Sequence, residues 1–155
     1  MEIPVQIRRC APADVALLEA REPAGQGFAR HAAARQERGE STFLIAWSGE
    51  LPVGSCEVDE GELPLLKNLS VDAPTRGRGV GSRLMEAAEE LARPRGRIAC
   101  AVGLDNPRAR RLYERRGYRA TGQLETVSYE YVDDGGVRRT ATETSETLVK
   151  DLGNP

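Results

Sequence analysis

The sequence predicts an α/β fold, a mixed sheet with helices in one layered domain. Three observations predict it. Segments with helical and strand periods alternate along the chain in the order β-α-α-β-β-β-α-β-α-β-β. At 155 residues the chain suits one hydrophobic core, so residues 1–155 are expected to form one domain. Its 39% hydrophobic and 30% charged content is that of a globular chain in water.

Ile3 to Arg9 alternates apolar and polar residues, as a strand does. Pro12 and Asp14 open a helix whose apolar face is Val15, Leu17 and Leu18. After the break at residues 23–27, Phe28 to Arg38 is a second helix, closed by Gly39. Thr42 to Trp47 and Pro52 to Val58 are strand-like runs around the turn Ser48-Gly49-Glu50. Asp59-Glu60-Gly61 turns the chain again into a third run, Leu63 to Val71. From about Ser82, Leu84, Ala87, Ala88, Leu91 and Ala92 fall on one helical face, stopped by Pro94 and Gly96. Ile98 to Val102 has the continuous apolar run of a strand buried on both faces. Asn106-Pro107 caps a further helix that runs to about Arg116 and ends at Gly117. Two long strands, Tyr118 to Val132 and Thr140 to Leu148, meet at Asp133-Asp134-Gly135-Gly136, a hairpin signal. Only the last few residues read as loose.

Composition excludes several classes. A net charge of −2 argues against a general nucleic-acid binder, which carries a basic balance or stripe. The arginines of 108–116 are interrupted by Glu114 and read as a solvated helix face. Cys10, Cys56 and Cys100 are widely spaced without a CxxC, so they make neither a zinc site nor a disulfide framework. They fit a reduced, cytoplasmic setting, with Cys100 an inert packing residue. Residues 1–10 lack the apolar core of a secretion signal, and no run approaches the ~18 apolar residues of a membrane span. Neither a membrane partner nor a metal is expected.

The chemistry concentrates at Arg76-Gly77-Arg78-Gly79-Val80-Gly81, between a strand and a helix. Its glycines leave backbone N–H groups able to face a ligand. A helix N-terminus adds uncapped donors and the positive end of the macrodipole, so the loop reads as a phosphate cradle. It is not a P-loop, because no Gly-Lys-Ser/Thr follows, and Ser82 breaks the dinucleotide pattern Gly-x-Gly-x-x-Gly.

Two blocks carry a resemblance to a known family. Arg76-x-x-Gly79-x-Gly81 resembles the acetyl-CoA signature Arg/Gln-x-x-Gly-x-Gly/Ala of the GNAT (GCN5-related) N-acetyltransferase superfamily. Asn106 to Tyr118, an Asn followed by a helix with Ala109, Leu112-Tyr113 and a terminal Gly117-Tyr118, is similar to the family's second block. One helix and one strand fit between them. The resemblance implies a single-domain GNAT-like fold, with a mixed, mostly antiparallel central sheet flanked by helices and splayed at an acyl-CoA site, and acetyl transfer from acetyl-CoA to a primary amine of a small molecule or peptide. It implies that backbone N–H groups of Arg76, Gly77, Arg78, Gly79, Val80, Gly81 and Ser82 hold the CoA pyrophosphate, with Arg76 and Arg78 near its phosphates. Leu69, Ser70 and Val71 would pair with the pantetheine amides, and Asn106 would lie beside that arm. Tyr113 would aim its hydroxyl at the CoA sulfur and serve as the acid for the departing thiolate.

A base is harder to find. An alkyl ammonium, with a pKa of about 10.4, costs ~4.6 kcal/mol to hold neutral at pH 7. Many relatives place a glutamate in the strand entering the loop, where this chain has Lys67-Asn68. Glu57 on the preceding strand is the candidate base, followed by Glu62, with a solvated strand-face charge as the plain reading of each. His31 stands where relatives often form the acceptor pocket, and surface residence is its plain reading. The pocket is expected from the two N-terminal helices and the closing hairpin, with Arg30, His31, Arg35, Glu125, Tyr129 and Tyr131. The hairpin edge leaves room for a homodimer. The alternative function is a non-catalytic acyl-CoA-binding sensor or interaction module, motivated by the missing strand glutamate.

Overall fold

The structure, a computed structural model, describes residues 3–153. The strands are β1 (Gln6–Arg9), β2 (Ser41–Ser48), β3 (Leu51–Asp59), β4 (Leu65–Val71), β5 (Arg97–Gly103), β6 (Arg119–Val132) and β7 (Arg138–Asp151). The α-helices are α1 (Val15–Ala20), α2 (Phe28–Glu37), α3 (Val80–Ala92) and α4 (Pro107–Arg115). Their order is the one the sequence predicts, and the fold is α/β. The looseness expected at the end of the chain concerns residues 154 and 155, which lie outside the described residues. No helix among the described residues is long and apolar enough to cross a membrane. The chain divides into two compact units, one reaching Ile98 and resuming at Leu152, the other Ala99–Asp151.

In the first unit β1, β2, β3 and β4 form consecutive antiparallel ladders. β1 begins at Gln6 rather than Ile3, because Pro4 has no N–H for a ladder and the Ile3 N–H goes to the Arg78 carbonyl. β2 is buried from Ser41 to Trp47, so both its faces are covered. Its odd-numbered residues Phe43, Ile45 and Trp47 cluster with Ala29 and Ala32 of α2 and with Cys10. The opposite face lies under α3. Gly54, paired with Ala46, has Leu84 and Val80 of α3 within 3.2 Å of where a Cβ would stand. Gln36 ties α2 to the sheet, donating to the Cys10 carbonyl at 2.9 Å and accepting the Phe43 N–H at 2.8 Å.

α3 starts at Val80, two residues before the predicted onset, and the face it buries is the one packed over Gly54. Val80, Leu84, Met85, Ala88 and Ala92 are buried, whereas Leu91, expected in the stripe, is 43% exposed. Gly81 and Ser82 thus belong to the helix's first turn.

In the second unit β7 lies between β5 and β6. β6 and β7 pair antiparallel from Arg119↔Val149 to Val132↔Arg138, with a register shift between Ala120 and Leu124. Asp133 closes the hairpin: its Oδ1 accepts the N–H groups of Gly135 and Val137, both at 2.9 Å, and its carboxylate also takes Arg139. All fourteen residues of β6 are exposed.

Glu146 organises the register shift. Its carboxylate accepts from the Arg110 guanidinium at 2.7 Å and from the Gly122 N–H at 2.9 Å. Arg110 first, and the Gly122 N–H second, hold its pKa below the ordinary 4.5. A carboxyl depressed in the folded state stabilises fully above its unfolded pKa and loses that contribution as pH falls through the folded value. The melting temperature is therefore expected to fall as pH drops below about 4.5, and Glu146→Gln to flatten that dependence in fluorimetric melts. Parallel pH curves for variant and parent would refute this.

Candidate functional site

The glycine loop is built for backbone donors. A short 3-10 turn, Ala73–Thr75, leaves β4, pinned where the Thr75 hydroxyl donates to the Asp72 carbonyl at 3.0 Å. The Arg76 Nε–H donates to the Val71 carbonyl at 2.9 Å, so this side chain braces the loop against the end of β4. Arg78 is exposed. Gly77 and Gly79 take φ values of 77° and 85°, left-handed backbone that an L side chain resists. Gly79 is the N-cap of α3, whose first hydrogen bond is Arg83 N–H to the Gly79 carbonyl at 3.1 Å. The N–H groups before Arg83 have no intrahelical acceptor, and no side chain among the described residues caps them. At Gly81 a Cβ would meet Val71 at 3.7 Å, an ordinary contact, so Ala fits there. The loop's backbone therefore asks for glycine at 77 and 79 but not at 81.

The strand entering the loop is irregular. Lys67 pairs with Glu57 and Ser70 with Ser55, so Asn68 and Leu69 stand opposite Cys56. That is a one-residue bulge, with Asn68 at φ 54°, the only described non-glycine residue at positive φ. Lys67 reaches Asp59 at 3.1 Å. Asn68 Nδ2 donates to Glu57 Oε2 at 2.6 Å, while Arg35 Nη1 donates to Glu57 Oε1 at 3.2 Å. Glu57 is 2% exposed. This corrects its reading as a solvated strand-face charge. Its place opposite Phe43 turns it toward α2, where Arg35 compensates the buried charge. Glu62 is exposed.

The other expected acceptor residues have mixed environments. Arg30 is exposed and pairs with Glu19 at 2.8 Å, and His31 is exposed on α2. Arg35 bridges Glu57 and Asp59, the latter at 3.0 Å. In the second unit Glu125 and Tyr131 are exposed, and the Tyr129 hydroxyl donates to Glu143 at 3.1 Å. The sequence reading did not single out a groove of about 170 Å3 in the first unit, where Arg21, Glu22, Ser55, Ser70 and Asp72 join Phe28 and Phe43. Period-2 alternation from Glu57 would have placed Ser55 there. Ser70 arrives only because the bulge turns it to that face. Arg21 and Asp72 pair at 3.2 Å along its border.

The second block is in place around α4. Asn106 Oδ1 accepts the Ala109 N–H at 3.1 Å as a helix cap, with Pro107 in the first turn. Gly117 ends the helix at φ 97°, and the Tyr118 N–H returns to the Tyr113 carbonyl at 3.0 Å. Tyr113, half-buried, meets the buried Tyr118 edge-on with ring centres 5.6 Å apart. All three cysteines are buried and unpaired. Burial pushes Cys56 and Cys100 up to about 12 and Cys10 to about 11, so none is a thiolate nucleophile near neutrality. Among the described residues no group of three or more His, Cys, Asp or Glu could hold a metal ion.

Comparison with known proteins places this fold and loop in one family. The family model described as Acetyltransferase (GNAT) family matches residues 12–118, well over half of the chain. The chain belongs to the GNAT acetyltransferase family. It is 32% identical over 92 residues to an uncharacterized N-acetyltransferase of Methanocaldococcus jannaschii, covering 53% of this chain and 41% of that protein. The chain spans less than half the length of the curated relatives it matches. Among solved structures it resembles the ribosomal-protein-S18-alanine N-acetyltransferase of Escherichia coli, with TM-score 0.70, 17% identity, and coverage of 98% of this chain and 96% of that one. It also resembles a GNAT family acetyltransferase of Elizabethkingia anophelis with acetyl-CoA bound, with TM-score 0.63, 16% identity, and coverage of 96% and 98%.

Proposed function

We propose that residues 1–155 act as an acetyl-CoA-dependent N-acetyltransferase, moving acetyl to a primary amine of a small molecule or peptide by direct attack in a ternary complex. The observation that carries this is the loop at 76–82, with left-handed Gly77 and Gly79 at the uncapped start of α3. That arrangement matches a pyrophosphate in charge and donor geometry. Backbone N–H groups from Gly77 to Ser82 hold the phosphates, the Arg76 N–H being already given to the Ala73 carbonyl at 3.3 Å, while Leu69 to Val71 pair with the pantetheine amides and Arg78 adds charge at the rim. Asn106, with Oδ1 committed to its helix cap, has its Nδ2 amide to offer the same arm. Tyr113 protonates the departing thiolate. The buried, protonated cysteines support direct attack over an acetyl-cysteine route.

Deprotonation constrains the acceptor. With both Glu57 oxygens engaged, an amine of low intrinsic pKa is served best. An α-amine at a pKa of about 8 costs only ~1.4 kcal/mol to hold neutral at pH 7, against ~4.6 for an alkyl ammonium. The same engagement of Glu57 favours the second reading, a non-catalytic acyl-CoA-binding module. Tight acetyl-CoA binding without amine-dependent thiol release across α-amine and alkylamine panels would establish it.

Acetyl-CoA at a hundredfold excess over its Kd is expected to add about 2.7 kcal/mol of stability, several degrees in Tm. No shift with acetyl-CoA or any acyl-CoA would overturn the proposal. Gly79→Ala is expected to weaken acetyl-CoA binding about tenfold, since the left-handed conformation costs an L residue 1–2 kcal/mol. Gly81→Ala is expected to stay within about twofold of the parent. Calorimetric titration separates them, and equal losses would mean that glycine at 79 has no special conformational role.

A further inference from the structure

We infer that Arg35, Glu57 and Asn68 form a latch that holds the β4 bulge, making Glu57 and Asn68 positioning residues for the strand end at Leu69 to Val71. Glu57 and Ser55 lie two apart on β3 and so share a face, and their partners Lys67 and Ser70 lie three apart on β4. Partners three apart share a face only where one extra residue is inserted, and Asn68 supplies it. The bulge turns Ser70 into the groove beneath α2 and sets Val71 against Gly81 in the first turn of α3. Without it, the faces of Leu69, Ser70 and Val71 would invert.

The bulge position asks for left-handed backbone, which glycine supplies freely. Asn tolerates that conformation better than most residues, and its amide brings a second contribution. The Nδ2–H to Glu57 Oε2 contact at 2.6 Å is charge-assisted. The carboxylate is pinned in turn by Arg35 from α2, and Asp59 holds the far side of that guanidinium at 3.0 Å. A carboxylate with one oxygen on the helix and the other on the bulge joins α2 to β4. Each of its oxygens already accepts a hydrogen bond from a protein donor, and in this latch Glu57 acts through strand geometry.

The inference rests on the acetyl-CoA reading only for what Leu69 to Val71 bind; the bulge itself is tested without ligand. Asn68 is exposed, so its variants should fold. Asn68→Ala removes the amide and disfavours positive φ. It should raise hydrogen exchange of the peptide spanning 66–72 about tenfold and weaken acetyl-CoA binding by a similar factor. Asn68→Gly keeps the conformation, and should hold both within about threefold of the parent. Glu57→Ala should impair both, and adding Asn68→Gly should restore most of the loss, a rescue that a lost proton acceptor would not permit. Parental exchange in Asn68→Ala, or no rescue of Glu57→Ala by Asn68→Gly, would overturn the latch. Should the parent bind no acetyl-CoA, the functional proposal fails, while the exchange data still judge the latch.

Discussion

Tyr113→Phe is expected to lower kcat by two to four orders of magnitude, the range over which a positioned proton donor accelerates a reaction. Acetyl-CoA affinity should stay within about twofold. The reason lies in what the substitution leaves alone. The ring still meets Tyr118 edge-on at 5.6 Å, and the Tyr113 carbonyl still accepts the Tyr118 N–H, so the end of α4 keeps its shape. Only the phenolic O–H is lost. If the thiolate must be protonated as it leaves, the loss falls on the transition state and appears in kcat and kcat/KM together. The measurement is steady-state thiol release with an accepted amine, paired with calorimetric titration of acetyl-CoA. Equal losses of rate and affinity would make Tyr113 a structural aromatic.

The second large effect is on stability. Leu84 is fully buried on α3 and stands 3.2 Å from the point where a side chain on Gly54 would begin. Truncating a buried leucine costs 2–5 kcal/mol. At about 2–4 °C per kcal/mol for a chain of this size, Leu84→Ala should lower Tm by roughly 10 °C. The damage should reach acetyl-CoA binding too if, as proposed, the first turn of the same helix holds the phosphates. Leu91→Ala is the matched control: that side chain is 43% exposed, and its loss should cost well under 1 kcal/mol. Differential scanning calorimetry of the pair decides the matter. Equal shifts would mean that α3 packs by the face the periodicity predicted.

That comparison marks how far local pattern carries. Element types and order were legible because each element announces itself within a few residues: the Asn106-Pro107 cap, the Gly117 stop, the hairpin signal at Asp133-Asp134-Gly135-Gly136. The conformation of the glycine loop was legible for the same reason, since left-handed backbone at Gly77 and Gly79 is decided by residue type. The face of α3 was not, because it is set by Val80 and Leu84 packing over Gly54, a residue 26 or more positions distant in the chain. Glu57 was misjudged as solvated because a glutamate alternating along a strand looks the same whether water or Arg35 faces it.

By itself, then, the sequence determined the α/β class, the loop that reads as a phosphate cradle, and the two blocks that resemble an acetyltransferase. Those properties live in short windows, through backbone freedom, capping and period. The tertiary structure decided what lies between: the bulge at Asn68, the burial of Glu57, the groove at Ser55 and Ser70, and the bracing of Arg76 against Val71. Each of these depends on pairing register or on an ion pair between distant residues. A one-residue shift in register inverts which side chains face a site, and no local pattern of residue types records it.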